Sequence, residues 1–69
     1  MHTISVTVNG AEHTVAAATT LRELLGTLRR DATAAATAVN GNYVARESRG
    51  EFILNDRDAI TTFEPITGG

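Results

Sequence analysis

"TTLRELLGTLRRD" (residues 19–31) is the only segment of the sequence with a convincing helical pattern. Its leucines, Leu21, Leu24, Leu25 and Leu28, recur at i, i+3, i+4 and i+7, so they share one face of a helix. Thr20 and Glu23 have the T-x-x-E spacing of a capping box, which predicts that the helix begins there. Arg29 and Arg30 are expected in its last turn, near the negative end of the helix dipole. Such a helix needs an apolar surface to cover its leucine face.

The preceding segment, "TISVTVNGAEHTVAA" (residues 3–17), has the two-residue period of strands. Ile4, Val6 and Val8 alternate with hydroxyl residues, as in a strand with one buried face. Asn9-Gly10 is a strong signal for a two-residue hairpin turn. We therefore predict strands over residues 3–9 and 11–17.

The segment that follows the helix, "DATAAAT" (residues 31–37), has no clear period. Its alanines either extend the helix or begin the next strand. Asn40-Gly41 is a second hairpin signal, which predicts a turn between a third strand that contains Val39 and a short fourth strand that contains Tyr43.

The last third of the chain predicts one more strand and completes the fold. The polar, turn-rich residues 45–58 contain a small apolar group at 52–54, and the β-branched run at 59–66 is typical of a strand. Five strands around one helix predict an α+β roll of the β-grasp kind, with a mixed sheet and the helix packed across one face. We expect one domain over residues 1–65 and a flexible tail over 66–69.

Composition narrows the function. The 69-residue chain is 42% apolar, has a formal charge of -2 and lacks cysteine, so a disulfide framework and a thiolate metal site are excluded. All six cations are arginine and only three residues are aromatic, which argues against nucleic-acid binding. With neither a signal-peptide pattern nor an apolar run of membrane-spanning length, we expect a cytoplasmic protein, monomeric when free and not bound to membranes.

The search for catalytic residues finds no convincing constellation. The sequence contains no phosphate-binding glycine motif, and its serines have no identifiable base partner. His2 and His13, which could approach each other across the first hairpin, are weighed as a metal pair against ordinary polar strand positions, and the second interpretation is favoured. Asp56 and Asp58 are interpreted as a turn before the last strand, since the other ligands of a calcium loop are missing. We expect no catalytic residues and no metal site.

The tail is the exception. Pro65 cannot donate a ladder hydrogen bond, so we expect Ile66, Thr67, Gly68 and Gly69 to leave the sheet as a projecting arm. Glycines lack a Cβ atom, so such an arm can enter a narrow channel in a partner. The reactive group at its end is the α-carboxylate, ionised at neutral pH. A partner would have to supply any nucleotide site.

The whole chain resembles the ThiS sulfur carriers of bacterial thiamine biosynthesis, in the ThiS/MoaD branch of ubiquitin-like β-grasp proteins. Four segments carry the resemblance: the early "VNG", "TLRELL" in the helix, "AVNGNYVARE" after it and "NDRDAITTFEPITGG" at the end. The "AVNG…V.RE" pattern, the acidic turn before the last strand and the terminal Gly-Gly, in this order and length, are specific jointly rather than singly.

The resemblance implies that the chain is a protein cosubstrate rather than an enzyme, with no bound cofactor. In that family a ThiF-like adenylating enzyme uses ATP to adenylate the terminal glycine, here Gly69, with Gly68 as the preceding flexible link. A sulfur-transfer protein then supplies the sulfur of a thiocarboxylate, and a ThiG-like thiazole synthase receives it. Alternative implications are a MoaD-like carrier for molybdopterin synthesis, a ubiquitin-like modifier and a binding module.

One dipeptide and the chain length bear on the choice between the ThiS and MoaD alternatives. Glu64-Pro65 departs from many ThiS sequences, and a proline at this place occurs among MoaD-like chains, whereas the length of the chain favours ThiS. Arg46 and Glu47 are interpreted as polar residues on a loop surface in preference to specificity determinants.

The last strand offers a partner surface. If Ile60 and Thr62 point toward the helix, then Thr61, Phe63 and Pro65 lie on the open face and lead to the tail. Phe63 would then be the docking anchor. In the alternative, the parity is reversed and Phe63 belongs to the core, which needs apolar volume.

Overall fold

The computed structural model describes residues 2–64. Its elements are, in chain order, β1 (Thr3–Val8), β2 (Ala11–Ala16), α1 (Leu21–Thr27), β3 (Ala36–Val39), β4 (Asn42–Val44) and β5 (Ala59–Phe63), with a 3₁₀ turn at Arg46–Ser48. The strands form one mixed sheet in the order β2-β1-β5-β3-β4, in which β1 and β5 run parallel. The predicted β-grasp roll is confirmed. The expected boundary between a domain and a tail lies outside the described residues and stays a prediction.

Both Asn-Gly turns form as predicted. Asn9 and Gly10 have φ values of 52° and 88°, and Asn40 and Gly41 have 53° and 83°. Two consecutive residues with positive φ match the type I′ turn, whose twist suits that of the flanking strands. The first strand is one residue shorter than predicted because Asn9 belongs to the turn.

The leucine face of α1 packs against one face of the sheet. Leu21, Leu24 and Leu25 are almost fully buried, and Leu28 is half-buried at the edge of the core. The remaining buried members of this core are Val6, Val8, Val39, Val44, Leu54 and Ile60. Side chains on alternate strand positions point to the other face, which α1 leaves open.

The start of α1 is capped as the sequence predicts. The Glu23 amide donates to Thr20 Oγ1 at 3.2 Å, and the Thr20 amide donates to Glu23 Oε1 at 2.9 Å. The first backbone amides of a helix have no acceptor within the helix itself. Here the Leu21 amide donates to the Phe52 carbonyl, and the Arg22 amide donates to the Arg49 carbonyl. The loop at residues 45–58 thus docks onto the helix N-terminus.

The predicted end of α1 was wrong. The helix ends at Thr27, and Arg29 takes a left-handed conformation with φ of 59°. The Arg29 amide donates to the Gly26 carbonyl at 3.0 Å and the Arg30 amide to the Leu25 carbonyl at 2.7 Å, the two bonds of a Schellman motif. Both arginines therefore follow the helix instead of forming its last turn. No helix in the described part of the chain is long and apolar enough to cross a membrane.

The structure settles the course of two loop segments. Ala36 and Thr37, the last residues of the alanine-rich connection, belong to β3, so the connection leads into a strand and does not extend the helix. The apolar group at 52–54 divides: Leu54 is buried and Phe52 half-buried, whereas Ile53 is 57% exposed.

Candidate functional site at the end of the last strand

The predicted partner contact Pro65 lies outside the described residues. So does the predicted tail, which consists of Ile66, Thr67, Gly68 and Gly69. β5 ends at Phe63, and Glu64 is the last residue that the structure describes. The candidate site is therefore built from β5 and from the surface around its C-terminal end.

The structure shows which residues of β5 face the helix and which lie on the open face. Ile60 is 1% exposed and faces the core, whereas Phe63 is 55% exposed and Thr61 is also exposed. Phe63 therefore lies on the open face, and the alternative that it belongs to the core is wrong. That Phe63 and Thr61 bind a partner stays a prediction.

Tyr43 is a further aromatic residue on the open face, and the sequence analysis did not single it out. Its side chain is 70% exposed, and its strand partner is Ala38, which also pairs with Thr61. Ala36 pairs with Phe63 in the same sheet. The two aromatic residues are two strand spacings apart across the sheet and two residues apart along it, about 12 Å in all, with small alanines between them. We call residues 36, 38, 43, 61 and 63 the open-face patch.

The asparagines of both turns hold β5. Asn9 donates its amide to Thr62 Oγ1 at 2.8 Å and accepts from the Thr62 backbone amide at 3.0 Å. Asn40 accepts from the Ala59 amide at 2.9 Å and donates to Asp58 Oδ1 at 2.9 Å. The Asn9 side chain thus hydrogen-bonds β5 from the side of β1, and the Asn40 side chain hydrogen-bonds the start of β5 from the side of β3.

The paired carboxylates before β5 shape a turn, as predicted. Asp56 Oδ1 accepts the Ser5 amide at 2.8 Å, and Asp58 Oδ2 accepts the Asn55 amide at 2.8 Å. Asp58 is only 7% exposed. Both carboxylates therefore satisfy backbone donors of the sheet and turn.

The two histidines do not approach each other. His13 pairs with Val6, whereas the His2 carbonyl accepts the amide of Ala17. Four strand positions, about 13 Å, thus separate the histidines along the sheet, so the approach that the sequence left possible does not occur. Within residues 2–64 no three His, Cys, Asp or Glu side chains are grouped to hold a metal ion, and no pocket is found there.

The C-terminal end of β5 is held by the loop that follows α1. The Ala35 amide donates to the Phe63 carbonyl at 2.9 Å. Arg30 Nη1 lies 3.1 Å from Glu64 Oε1 in an ion pair whose side chains are each nearly half exposed. We call residues 30–35 the anchor loop, because it contacts the last two described residues.

Arg49 fastens the anchor loop from the inside, and the sequence analysis missed it. Its side chain is fully buried. Nε donates to Thr37 Oγ1 at 3.3 Å, Nη1 to the Asp31 carbonyl at 3.0 Å and Nη2 to the Ala34 carbonyl at 2.9 Å. Nη1 also lies 3.3 Å from Asp31 Oδ1, which partly compensates the buried charge.

Arg46 supports the same loop from the outside. Arg46 and Glu47 are exposed, as predicted for a loop surface. The Arg46 guanidinium nevertheless donates to the Asp31 carbonyl at 3.1 Å and to the Ala34 carbonyl at 2.8 Å. Arg46, in the 3₁₀ turn, and Arg49, directly after it, therefore share the same pair of carbonyl acceptors.

Comparisons with known proteins agree on one family. The model of the ThiS family matches residues 6–69, a span that includes both Asn-Gly turns and the final two glycines. Among solved structures, the chain is similar to the thiamine biosynthesis protein ThiS from Geobacter metallireducens. The TM-score is 0.77 at 28% sequence identity, over 96% of this chain and 100% of that chain. A comparison with curated protein sequences finds no significant match.

Proposed function

This chain belongs to the ThiS family, and from that premise we propose that it is a sulfur carrier of thiamine (thiazole) biosynthesis. Gly69 is the residue that is modified. The observation that carries the proposal is the family match, which runs through Gly68 and Gly69. The similarity to a thiamine biosynthesis protein over nearly the whole chain supports the same pathway.

The proposed chemistry takes place at the Gly69 α-carboxylate. One carboxylate oxygen attacks the α-phosphorus of ATP, a C–O–P linkage forms and pyrophosphate leaves. A sulfur nucleophile, hydrosulfide in the simplest case, then attacks the acyl carbon, and the C–O bond breaks with release of AMP. The product is a thiocarboxylate, which can donate its sulfur. The carrier itself is a cosubstrate, and its partners perform the catalysis.

Three classes of partner follow from this chemistry. A ThiF-like adenylating enzyme supplies the ATP site, a sulfur-transfer protein supplies sulfur and a ThiG-like thiazole synthase consumes it. The chain contains no lysine, so it has no side-chain amine that could capture the activated acyl group.

We propose that the open-face patch docks the adenylating enzyme. Phe63 precedes Gly69 by six residues, so an extended chain would place the reacting carboxylate at most about 20 Å from Phe63. An enzyme that receives this carboxylate must therefore cover surface close to Phe63. Exposed aromatic residues such as Phe63 and Tyr43 are typical anchors of protein interfaces.

ATP–pyrophosphate exchange by the purified ThiF-like enzyme tests the activation step. We expect exchange with the intact chain and none above background when Gly69 is deleted, because the deletion removes the carboxylate that is positioned to react. The Gly26→Ala variant, changed on the helix, serves as the matched control and retains exchange. Circular dichroism checks that all three proteins are folded.

Two results would count against the proposal. Exchange that persists without Gly69 would show that another group reacts, and absence of exchange with the intact chain would reject adenylation by this partner class. The molybdopterin alternative predicts sulfur transfer to a molybdopterin precursor instead of to thiazole. The modifier alternative predicts isopeptide bonds to other proteins.

A further inference from the structure

Burial of the charged Arg49 side chain costs free energy, which its hydrogen bonds must offset. Transfer of a guanidinium ion out of water costs several kcal/mol unless its donors find acceptors. Here the acceptors are Thr37 Oγ1, the Asp31 carbonyl and carboxylate, and the Ala34 carbonyl. An apolar side chain of similar volume is often equally stabilising at such a site. What the arginine adds is a fixed position for the two carbonyl groups that it binds.

Those carbonyl groups belong to the anchor loop, whose other side holds the end of β5. The Ala34 amide donates to the Arg30 carbonyl at 2.8 Å, which closes the loop on itself. Next to it, the Ala35 amide donates to the Phe63 carbonyl, and the Arg30 side chain pairs with Glu64. Movement of the loop therefore moves both contacts at the point where the chain leaves the sheet.

We propose that Arg49 is a positioning residue for the tail: through residues 30–35 it fixes Phe63 and Glu64, from which the chain continues to Gly69, and so raises the fraction of bound carriers whose carboxylate is placed for activation. This inference rests on the proposed function. Arg49 acts from inside the protein and contacts no partner.

Positioning and docking have different kinetic signatures. Arg49 donates to no residue of the open-face patch, but the loop that it holds contacts Phe63. We therefore expect loss of Arg49 to raise the KM for activation by a smaller factor than it lowers kcat. The bound carboxylate would sample wrong orientations. Small misplacements of a reacting group can cost up to about a hundredfold in rate, so we expect a fall in kcat of about tenfold for Arg49→Lys. A lysine keeps the charge but lacks the planar fork of donors that reaches acceptors on three residues, Thr37, Asp31 and Ala34.

The test uses the full chain in a graded series of variants. Arg49→Lys and Arg49→Met weaken the internal fastening, and Arg30→Gln removes the contact with Glu64 without touching the core. Arg57→Met is the matched control, because the Arg57 side chain is 90% exposed and remote from the anchor loop. Steady-state activation gives kcat and KM well below each melting temperature. Amide hydrogen exchange of Ala35 reports the bond to Phe63 directly.

The expected result is a tenfold or larger acceleration of exchange at Ala35 in Arg49→Lys, with kcat lowered by a larger factor than KM is raised, and with Arg57→Met like the wild type. Arg30→Gln should reduce kcat by a smaller factor. Should Arg49→Met not fold, Arg49→Lys and Arg30→Gln still decide. Unchanged exchange at Ala35, or an unchanged kcat in the folded Arg49→Lys variant, overturns the inference. If the wild type is not activated at all, the proposed function fails, whereas the exchange measurement still decides whether Arg49 holds the strand end.

Discussion

At the residue scale, the exposed aromatic side chains of the open-face patch give the docking proposal its sharpest form. Phe63 and Tyr43 are both more than half exposed and flank small alanines. Aromatic anchors at protein interfaces commonly contribute about 2 kcal/mol or more each. We expect Phe63→Ser and Tyr43→Ser each to raise the KM for activation about tenfold or more and to leave kcat nearly unchanged.

Ile53→Ser is the matched control, because Ile53 is 57% exposed but lies outside the patch. Since all three side chains are exposed, each substitution should change the free energy of unfolding by no more than about 0.5 kcal/mol, as is typical of surface positions. Thermal unfolding measures that change. If KM rises equally in Ile53→Ser, the enzyme binds exposed apolar side chains without preference for the open-face patch. Unchanged KM in both patch variants would remove the patch from the docking surface.

These residues also show how far sequence reasoning reaches. Strand alternation places Phe63 opposite to Ile60 but does not say which of them is buried, so both parities stayed open. Tyr43 could have been found, because a two-residue turn at Asn40-Gly41 pairs it with Ala38, on the face opposite to Val39. Arg49 could not, since its burial depends on backbone carbonyl groups that approach from a distant loop.

At the element scale, the helix shows a predictable start and an unpredictable end. The capping box of Thr20 and Glu23 is local in sequence, and both of its hydrogen bonds form. The helix stop usually carries glycine at the left-handed position, which Arg29 occupies here at a cost of about 1–2 kcal/mol. Without that glycine signal, the predicted helix extended too far.

Gly26 offers a direct test of the helix assignment. It lies inside α1, and an added Cβ atom would meet nothing within 4 Å. Gly26→Ala should therefore raise the free energy of unfolding by about 1 kcal/mol, the difference in helix propensity. In a domain of this size that corresponds to a melting temperature about 4–8 °C higher.

Gly41→Ala is the matched control, because there too an added Cβ atom meets nothing within 4 Å, but φ is +83°. Gly41→Ala should lower the free energy of unfolding, because alanine adopts this positive φ only with strain. The two glycines have equal space for a Cβ atom, so the comparison isolates the effect of backbone conformation. A Gly26→Ala variant that melts at a lower temperature than the wild type would contradict the described helix.

At the scale of the whole molecule, the fold supports one strand from several directions. β5 lies inside the sheet between β1 and β3, and asparagines of both turns grip it. The order of elements along the chain predicted the β-grasp roll, because one leucine face requires one sheet. The central place of β5 and its parallel pairing with β1 depend on contacts distant in sequence, which no local pattern encodes. The scaffold thus firmly holds the strand from which residues 65–69 continue.

We propose that this scaffold carries sulfur on Gly69, and intact-mass analysis would detect that sulfur. The protein is incubated with ATP, the ThiF-like enzyme and a sulfur source, with the Gly69 deletion treated in parallel. We expect a gain of about 16 Da, the mass difference between sulfur and oxygen, in the intact chain and no gain in the deletion. An unchanged mass under cognate activation, or isopeptide-linked products in place of the thiocarboxylate, would contradict it.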